Sequence, residues 1–426
     1  MGLFRHTNKN IMNDFLLKVN DSVRERFLKL ERRVRKNEYI SSFYESLWQS
    51  WIDDYALHYD VDSVTASEDL IGSLCAFPYE KHVYKSEFQV KNCSRWFQTE
   101  YYPLQSVKDL TRTYTCNNKF CEGCQSVLAQ QRYEKFSPFL EALSTQHYIA
   151  HVVLTVPNCD FTDLKLVLDN MYNQKKFLIR YLKGDARVKG IDFSKYGYQG
   201  AVMALEITKS ERDGKAHPHF HCIMVFEKNK YVFGRRVYTN SYSFNNEDRK
   251  KLHRKKNLFE PDVRLFNAFE ILLQKVWYLR INHIEVNKEN IDNLKEGYSC
   301  IVERAEEFHE VFKYATKGVI KWSDDKDNIL SCYSDFIYSD MALYRRRMIQ
   351  AYGCLRKIPI PDEVDQSSDN DKLYEELCAK LRAMESPIEQ RELLDSLLEE
   401  QKTYKHIKYI SRKNFLALIG GDDDKT

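Results

Sequence analysis

His217-Pro218-His219-Phe220-His221 leads straight into the apolar run Cys222-Ile223-Met224-Val225-Phe226, and the reading of this stretch decides the fold. Its three histidines occupy every second position. A β-strand points alternate side chains to one face, so the spacing predicts a strand with all three imidazoles on the same side. Neutral imidazoles converging on one point make a metal site, and imidazole suits several divalent ions. A single histidine on a strand is usually a partly buried ring with an ordinary partner. Three in five, when the whole chain has 12, points to ligation.

Outward from that strand, Gly200 to Thr208 reads as another strand, and Ser210 to Lys215, with Asp213-Gly214, as turn material. Val202 to Phe226 is thus a hairpin whose first strand carries Glu206. Glu206, His219 and His221 would make a two-histidine, one-carboxylate site with open positions. Such a site accepts Mg, Mn or Zn and leaves room for a phosphate oxygen. Alone, Glu206 would read as a surface strand carboxylate. His151 to Val156 is β-branched and strand-like and stops at Pro157-Asn158, and Phe161 to Leu182 has helical periodicity. Phe266 to Arg280 reads as a helix, His283 to Val286 and Tyr298 to Val302 as short strands, and Glu303 to about Gly318 as a closing helix. The mixture is an α+β chain with a central antiparallel sheet flanked by helices.

The 426 residues suffice for two to four domains, and 43% hydrophobic with 30% charged residues is an ordinary soluble composition. A formal net charge of only +3 means that any nucleic-acid affinity must come from local patches. One patch is the polar, basic stretch Arg235 to Lys256, with Lys250, Lys251, Arg254, Lys255 and Lys256. The ordinary reading is a solvated loop; the functional one is contact with a DNA backbone. No secretory signal or apolar span is visible, which predicts a cytoplasmic protein without membrane contact. There, 11 cysteines are better read as thiols or metal ligands than as disulfides.

Cys116-Asn-Asn-Lys-Phe-Cys121-Glu-Gly-Cys124 has a Cys-x4-Cys-x2-Cys spacing, with Cys93 upstream. A Cys-x-x-Cys knuckle places two thiolates on one ion, and a structural zinc needs four ligands closed around it. Cys93 is the natural fourth, with Cys75 and His82 as substitutes; a redox dithiol is the competing reading. A deaminase zinc site is excluded, because Phe120 precedes Cys121 and no His-x-Glu lies upstream. Residues 1–90 read as mostly helical, with apolar residues at three- and four-residue spacing. Beyond Pro359 and Pro361, an acidic linker leads to a charged helical stretch, Lys372 to Glu400, and a basic one, Tyr404 to Ile419.

Glu310, Tyr314 and Lys317 are spaced four and three residues apart, so on a helix they share a face. Taken alone this is an ordinary solvated face, since a phenol is a weak nucleophile unless its phenolate is stabilised. Together with the histidines it resembles the replication initiator proteins of Gram-positive rolling-circle plasmids, in the HUH endonuclease superfamily. The matching motifs stand in order: Leu154-Thr-Val-Pro-Asn158, the His-Pro-His-Phe-His strand, and Tyr314-x-x-Lys317 with Glu310 four residues before the tyrosine. The run Cys93, Cys116, Cys121 and Cys124 is similar to that family's, as are Arg345-Arg346-Arg347-Met-Ile-Gln350 and Gly353. Glu122 departs from it, standing where family members usually have proline.

The resemblance implies the HUH fold and a metal-dependent nicking reaction on plasmid origin DNA, single-stranded or in a hairpin. Tyr314 would attack a phosphodiester, leaving a 5′-phosphotyrosyl link and a 3′-OH primer. Lys317 would steady the developing charge, and Glu310 would assist hydrolysis at termination. Glu206, His219 and His221 would hold Mn or Mg, or Zn, with His217 supporting them, while the four cysteines hold a structural zinc. The helical ends would meet the origin duplex, a host helicase or a second copy of the chain. The implied layout is a helical region 1–90, a zinc element 91–135, the endonuclease domain 136–357, and a linker with a helical region 358–426. A transposase or mobilisation relaxase is the nearest rival, but Glu310 stands where a second tyrosine would be. A non-catalytic zinc-containing DNA-binding regulator leaves His219, His221 and Tyr314 without a role.

Overall fold

A computed structural model describes residues 21–94, 96–102, 107–229, 231–236, 265–305, 326–365 and 406–411. The chain divides into two compact units, residues 1–124 with 363–426, and residues 125–362.

The first unit opens with α1 (Asp21–Tyr59), α2 (Ser63–Ser73) and α3 (Pro78–Asn92), in keeping with the helical spacing read there. Asp62 caps α2 by accepting from the backbone N–H groups of Val64 and Thr65, both at 2.9 Å. The strands β1 (Trp96–Tyr102) and β2 (Val107–Thr113) form an antiparallel pair, and β8 (His406–Ser411) adds to the other edge of β1. This corrects the helical reading of 404–419 over residues 406–411; the rest of that stretch, and the helical stretch read over 372–400, lie outside the described residues. Ile407, Tyr409 and Ile410 favour extended backbone, and the open edge of β1 supplies hydrogen-bond partners that a short isolated helix lacks.

The second unit takes up α4 (Glu122–Ser144), whose first residues belong to the unit before it. Then follow β3 (His147–Thr155), α5 (Leu164–Lys183), β4 (Tyr198–Lys209), β5 (Ala216–Glu227), α6 (Ala268–Ile281), α7 (Lys288–Asn293), β6 (Cys300–Arg304), α8 (Lys326–Leu343) and β7 (Ile349–Gly353). Five strands make one wholly antiparallel sheet in the order β6-β3-β5-β4-β7. The architecture is α+β, as the mixed pattern predicts.

One face of this sheet is continuous core. Val152 and Leu154 of β3, Met203, Leu205 and Ile207 of β4, and Phe220, Cys222 and Met224 of β5 are fully buried. They pack against α5 and α6. Leu168, Met171, Leu178 and Leu182 form the apolar stripe of α5, and Phe269, Leu273, Val276 and Trp277 that of α6. Phe220 stands at the centre, its ring 5.4 Å from Tyr172 and 6.4 Å from Trp277. Cutting it back to alanine would cost about 3–5 kcal/mol. Trp277 Nε1 donates to Thr155 O at 2.7 Å, tying α6 to the end of β3.

The ends of the helices follow local chemistry. Asn267 and Glu270 form a capping box at the start of α6, and Gly184 closes α5 in the left-handed conformation. The strand expected over 283–286 is instead the termination of α6. His283 and Ile284 give their N–H groups to Arg280 O and Leu279 O, so the first two residues of the expected strand have no donor left for a ladder. The strand read near 298–302 is β6, which runs on through Glu303 and Arg304, where the closing helix was expected to begin. Among the described residues, no helix is long and apolar enough to cross a membrane.

Candidate metal centres

The β4–β5 hairpin carries the first centre. Its register sets Glu206 opposite His219, Ala204 opposite His221 and Thr208 opposite His217. Directly paired residues point the same way, so the carboxylate and the three imidazoles share the face opposite the core. The connection from Ser210 to Lys215 closes through Gly214 N–H to Ser210 O, with Gly214 at φ +70°. Glycine suits that left-handed position.

His219 Nε2 lies 2.7 Å and His221 Nε2 2.6 Å from the same oxygen, Glu206 Oε2. The three ligand atoms lie within 4.8 Å of one another, so they could hold a metal ion. Burial pushes the Glu206 carboxyl up, but hydrogen bonds from His219 and then His221, and their charge, outweigh it and hold it at about 2. The protons give a test of fit. His219 Nδ1 stands 3.1 Å from His217 O, a carbonyl that can only accept. His219 therefore keeps a proton on Nδ1, and a metal would take the place of the Nε2 proton that the ring otherwise donates to Glu206. One carboxylate oxygen and two imidazole nitrogens meeting at one point are a donor set that fits a divalent metal.

His217 does not join the cluster. Its Nδ1 lies 2.6 Å from Asn158 Oδ1, and Asn158 Nδ2 donates to Asp213 Oδ2 at 2.9 Å. Burial, followed by the neighbouring His219 charge, pushes the His217 imidazole down. The ring is thus steadied by the end of the Leu154–Asn158 stretch and by the hairpin turn.

Two supporting residues escaped the sequence reading. His151 of β3 places Nε2 3.0 Å from His221 Nδ1. It read only as the first residue of a β-branched strand. Its odd-numbered alternation with Val153 and Thr155 would have shown it facing the site once β3 was known to flank β5. Lys175 is the other. Its amine lies 3.7 Å from the ring centroid of Tyr172 and 4.6 Å from that of Phe220, directly behind the ligand strand. Burial pushes this lysine down to about 7.

The second centre lies in the first unit. Cys93 follows the last turn of α3, Cys116 and Cys121 flank a short loop, and Cys124 lies in the first turn of α4. The Sγ atoms of Cys93 and Cys121 are 3.6 Å apart, Cys93 and Cys124 3.6 Å, and Cys116 and Cys124 3.8 Å. A tetrahedral zinc with bonds of about 2.3 Å sets its sulfurs about 3.8 Å apart, so the spacing fits that ion. Cys93, Cys121 and Cys124 are buried, Cys116 partly so. A hydrogen bond from Cys116 holds the Cys121 thiol well down, and donating it pushes Cys116 up. Asn37 Nδ2 adds a donor 3.2 Å from Cys121 Sγ, and the start of α4 adds its positive dipole end. Cys75 is exposed and outside the cluster, which leaves Cys93 as the fourth member.

Glu310, Tyr314 and Lys317, and the basic residues Lys250, Lys251, Arg254, Lys255 and Lys256, lie outside the described residues.

Residues 107–243 match the family model described as a replication protein, that of the rolling-circle plasmid replication initiators. The family resemblance read from the motifs is therefore found independently over this part of the chain. The match takes in Cys116, Cys121, Cys124, Glu206 and the whole histidine strand, and ends before Glu310. No curated protein and no solved structure matches the chain.

Proposed function

We propose that this chain, whose residues 107–243 match the replication-protein family model, is a rolling-circle plasmid replication initiator that nicks plasmid origin DNA through a tyrosine nucleophile on an HUH endonuclease fold. The observation that carries the reading is the convergence of Glu206, His219 and His221 on one face of a single hairpin, inside the matched residues.

In this reading Glu206, His219 and His221 hold a divalent ion, Mn or Mg, that supplies Lewis-acid polarisation of the scissile phosphate. Tyr314 Oη attacks the phosphorus, forming a 5′-phosphotyrosyl bond while the P–O3′ bond breaks. Tyr314 gives up its phenolic proton as this bond forms, and the leaving 3′-oxygen takes one up and becomes the primer hydroxyl. Lys317, three residues after Tyr314 in the sequence, counters the negative charge that builds on the phosphoryl oxygens. At termination Glu310 takes a proton from water, so that the second cut ends in hydrolysis. His217, held by Asn158, supports the ligand strand from its open end. The four cysteines hold a structural zinc, and Lys250, Lys251, Arg254, Lys255 and Lys256 contact the DNA backbone, which would make binding strongly salt-dependent.

The test is a suicide oligonucleotide carrying the origin nick site, incubated with the full chain and Mn. Wild-type protein forms a covalent adduct stable to denaturation; Tyr314→Phe forms none. An adduct surviving in that variant removes Tyr314 from the mechanism. Glu310→Ala should nick normally and accumulate the covalent product, and clean release by it would remove Glu310.

A further inference from the structure

The imidazoles of His151 and His221 lie nearly parallel, 9° apart with centroids 5.3 Å apart, and His151 Nε2 is 3.0 Å from His221 Nδ1. They sit on neighbouring strands. His151 pairs with Ile223, two residues along β5 from His221, so both rings project from the face that carries Glu206. We propose that His151 is a positioning residue for metal binding: it accepts the Nδ1 proton of His221 and thereby turns the Nε2 lone pair of that ring toward the cation. The inference rests on reading Glu206, His219 and His221 as metal ligands.

A neutral imidazole has one ring proton, so a histidine that gives Nε2 to a metal must carry it on Nδ1. For His219 the backbone settles this, because the His217 carbonyl stands at its Nδ1. For His221 the group at Nδ1 is another imidazole, which can accept only if its own proton sits on the far nitrogen. His151 with Nδ1 protonated and Nε2 bare meets that requirement, and both rings stay neutral. The two rings are nearly coplanar and meet edge to edge through these nitrogens, and this in-line hydrogen bond also restricts rotation of His221 about its Cβ–Cγ bond. The two ligand histidines are thus oriented by different means, one by its own strand and one by the strand beside it.

Mn2+ titration of the full chain, followed by electron paramagnetic resonance, tests this on wild type, His151→Phe, His151→Gln and His219→Ala. Phenylalanine keeps a planar ring but has no acceptor; glutamine restores an acceptor oxygen. His151→Phe should weaken Mn2+ binding about 10- to 100-fold, as removal of an outer hydrogen-bond partner of a ligating histidine does. His151→Gln should recover most of that loss. Equal affinity in wild type and His151→Phe overturns the inference, as does a glutamine variant as weak as the phenylalanine one.

If His219→Ala weakens binding while His151→Phe does not, the positioning role fails and the metal site stands. If His219→Ala leaves Mn2+ binding untouched, the ligand set itself fails and the inference falls with it. A further measurement needs no variant. In long-range 1H–15N spectra of the Mg2+-loaded wild-type protein, both His221 and His151 should appear as Nδ1–H tautomers. A proton on His151 Nε2 would refute the proposal.

Discussion

The two clusters of ligating side chains, one in each unit, are built on opposite plans. Cys93, Cys116, Cys121 and Cys124 offer four sulfurs, mostly buried, at the edge lengths of one tetrahedron. Glu206, His219 and His221 offer one oxygen and two nitrogens from one side of a sheet. Four thiolates complete the coordination of a zinc ion, so such a centre can hold backbone together but has no position for a substrate. Three mixed donors leave positions open, which a phosphate oxygen can enter. The supports differ in the same sense. The sulfurs sit at the junction of a loop and a helix start, while the nitrogens stand on paired strands backed by Phe220 and Trp277. One centre is made to fix a loop, the other to be fixed by a scaffold.

Loss of the closed centre should have the largest effect. Structural zinc contributes on the order of 10 kcal/mol to folding in small zinc modules. Cys121→Ser should release zinc and remove hydrogen-exchange protection from residues 116–128, while the amides of β4 and β5 stay protected. Unchanged protection at 116–128 would erase the contrast between the two plans.

Loss of the open centre should leave the fold in place and be severe in rate. His219→Ala removes one of three ligands, and Lewis-acid assistance is worth several kcal/mol, so nicking of a supercoiled origin plasmid should fall about 10³-fold or more. Its circular dichroism spectrum should match that of wild type. Nicking within a few-fold of wild type would show that the open centre is not the reactive one.

A smaller effect separates the centres by pH. In the metal-free protein the Glu206 carboxyl is held at about 2, below the ordinary glutamate value. A depressed carboxyl stabilises the folded state above its unfolded value of about 4.3 and loses that contribution as pH falls toward 2, on the order of 3 kcal/mol in all. Acid titration of metal-free wild type and Glu206→Gln should therefore converge below pH 3. Curves that stay parallel through that range would deny Glu206 its histidine partners.

Much of the open centre is legible in sequence because both strands lie on one hairpin. Period two puts His219 and His221 on one face, and Asp213-Gly214 places the turn that brings Glu206 alongside. His151 is not legible in the same way, since nothing in its own stretch says that β3 flanks β5 rather than β4. Lys175 is hidden for a different reason. A lysine in an amphipathic helix reads as exposed, and only the aromatic rings of Tyr172 and Phe220 make its burial tolerable. In the first unit the four cysteines announce themselves by spacing. The strand His406–Ser411 does not, because its partner β1 lies about 300 residues earlier in the chain and the pairing is long-range.

The hairpin has one more consequence, and it concerns folding time. Glu206 is 13 residues from His219 and 15 from His221, while His151 is 70 from His221. Hairpins close in about 1–10 μs, ahead of more distant pairings. The donors can therefore meet before the flanking strands dock. A slip of one residue between β4 and β5 would swing Leu205 or Ile207 to the place of Glu206 and scatter the donors. An ion captured by Glu206, His219 and His221 would thus discriminate the correct pairing from its neighbours and act as a checkpoint on strand alignment.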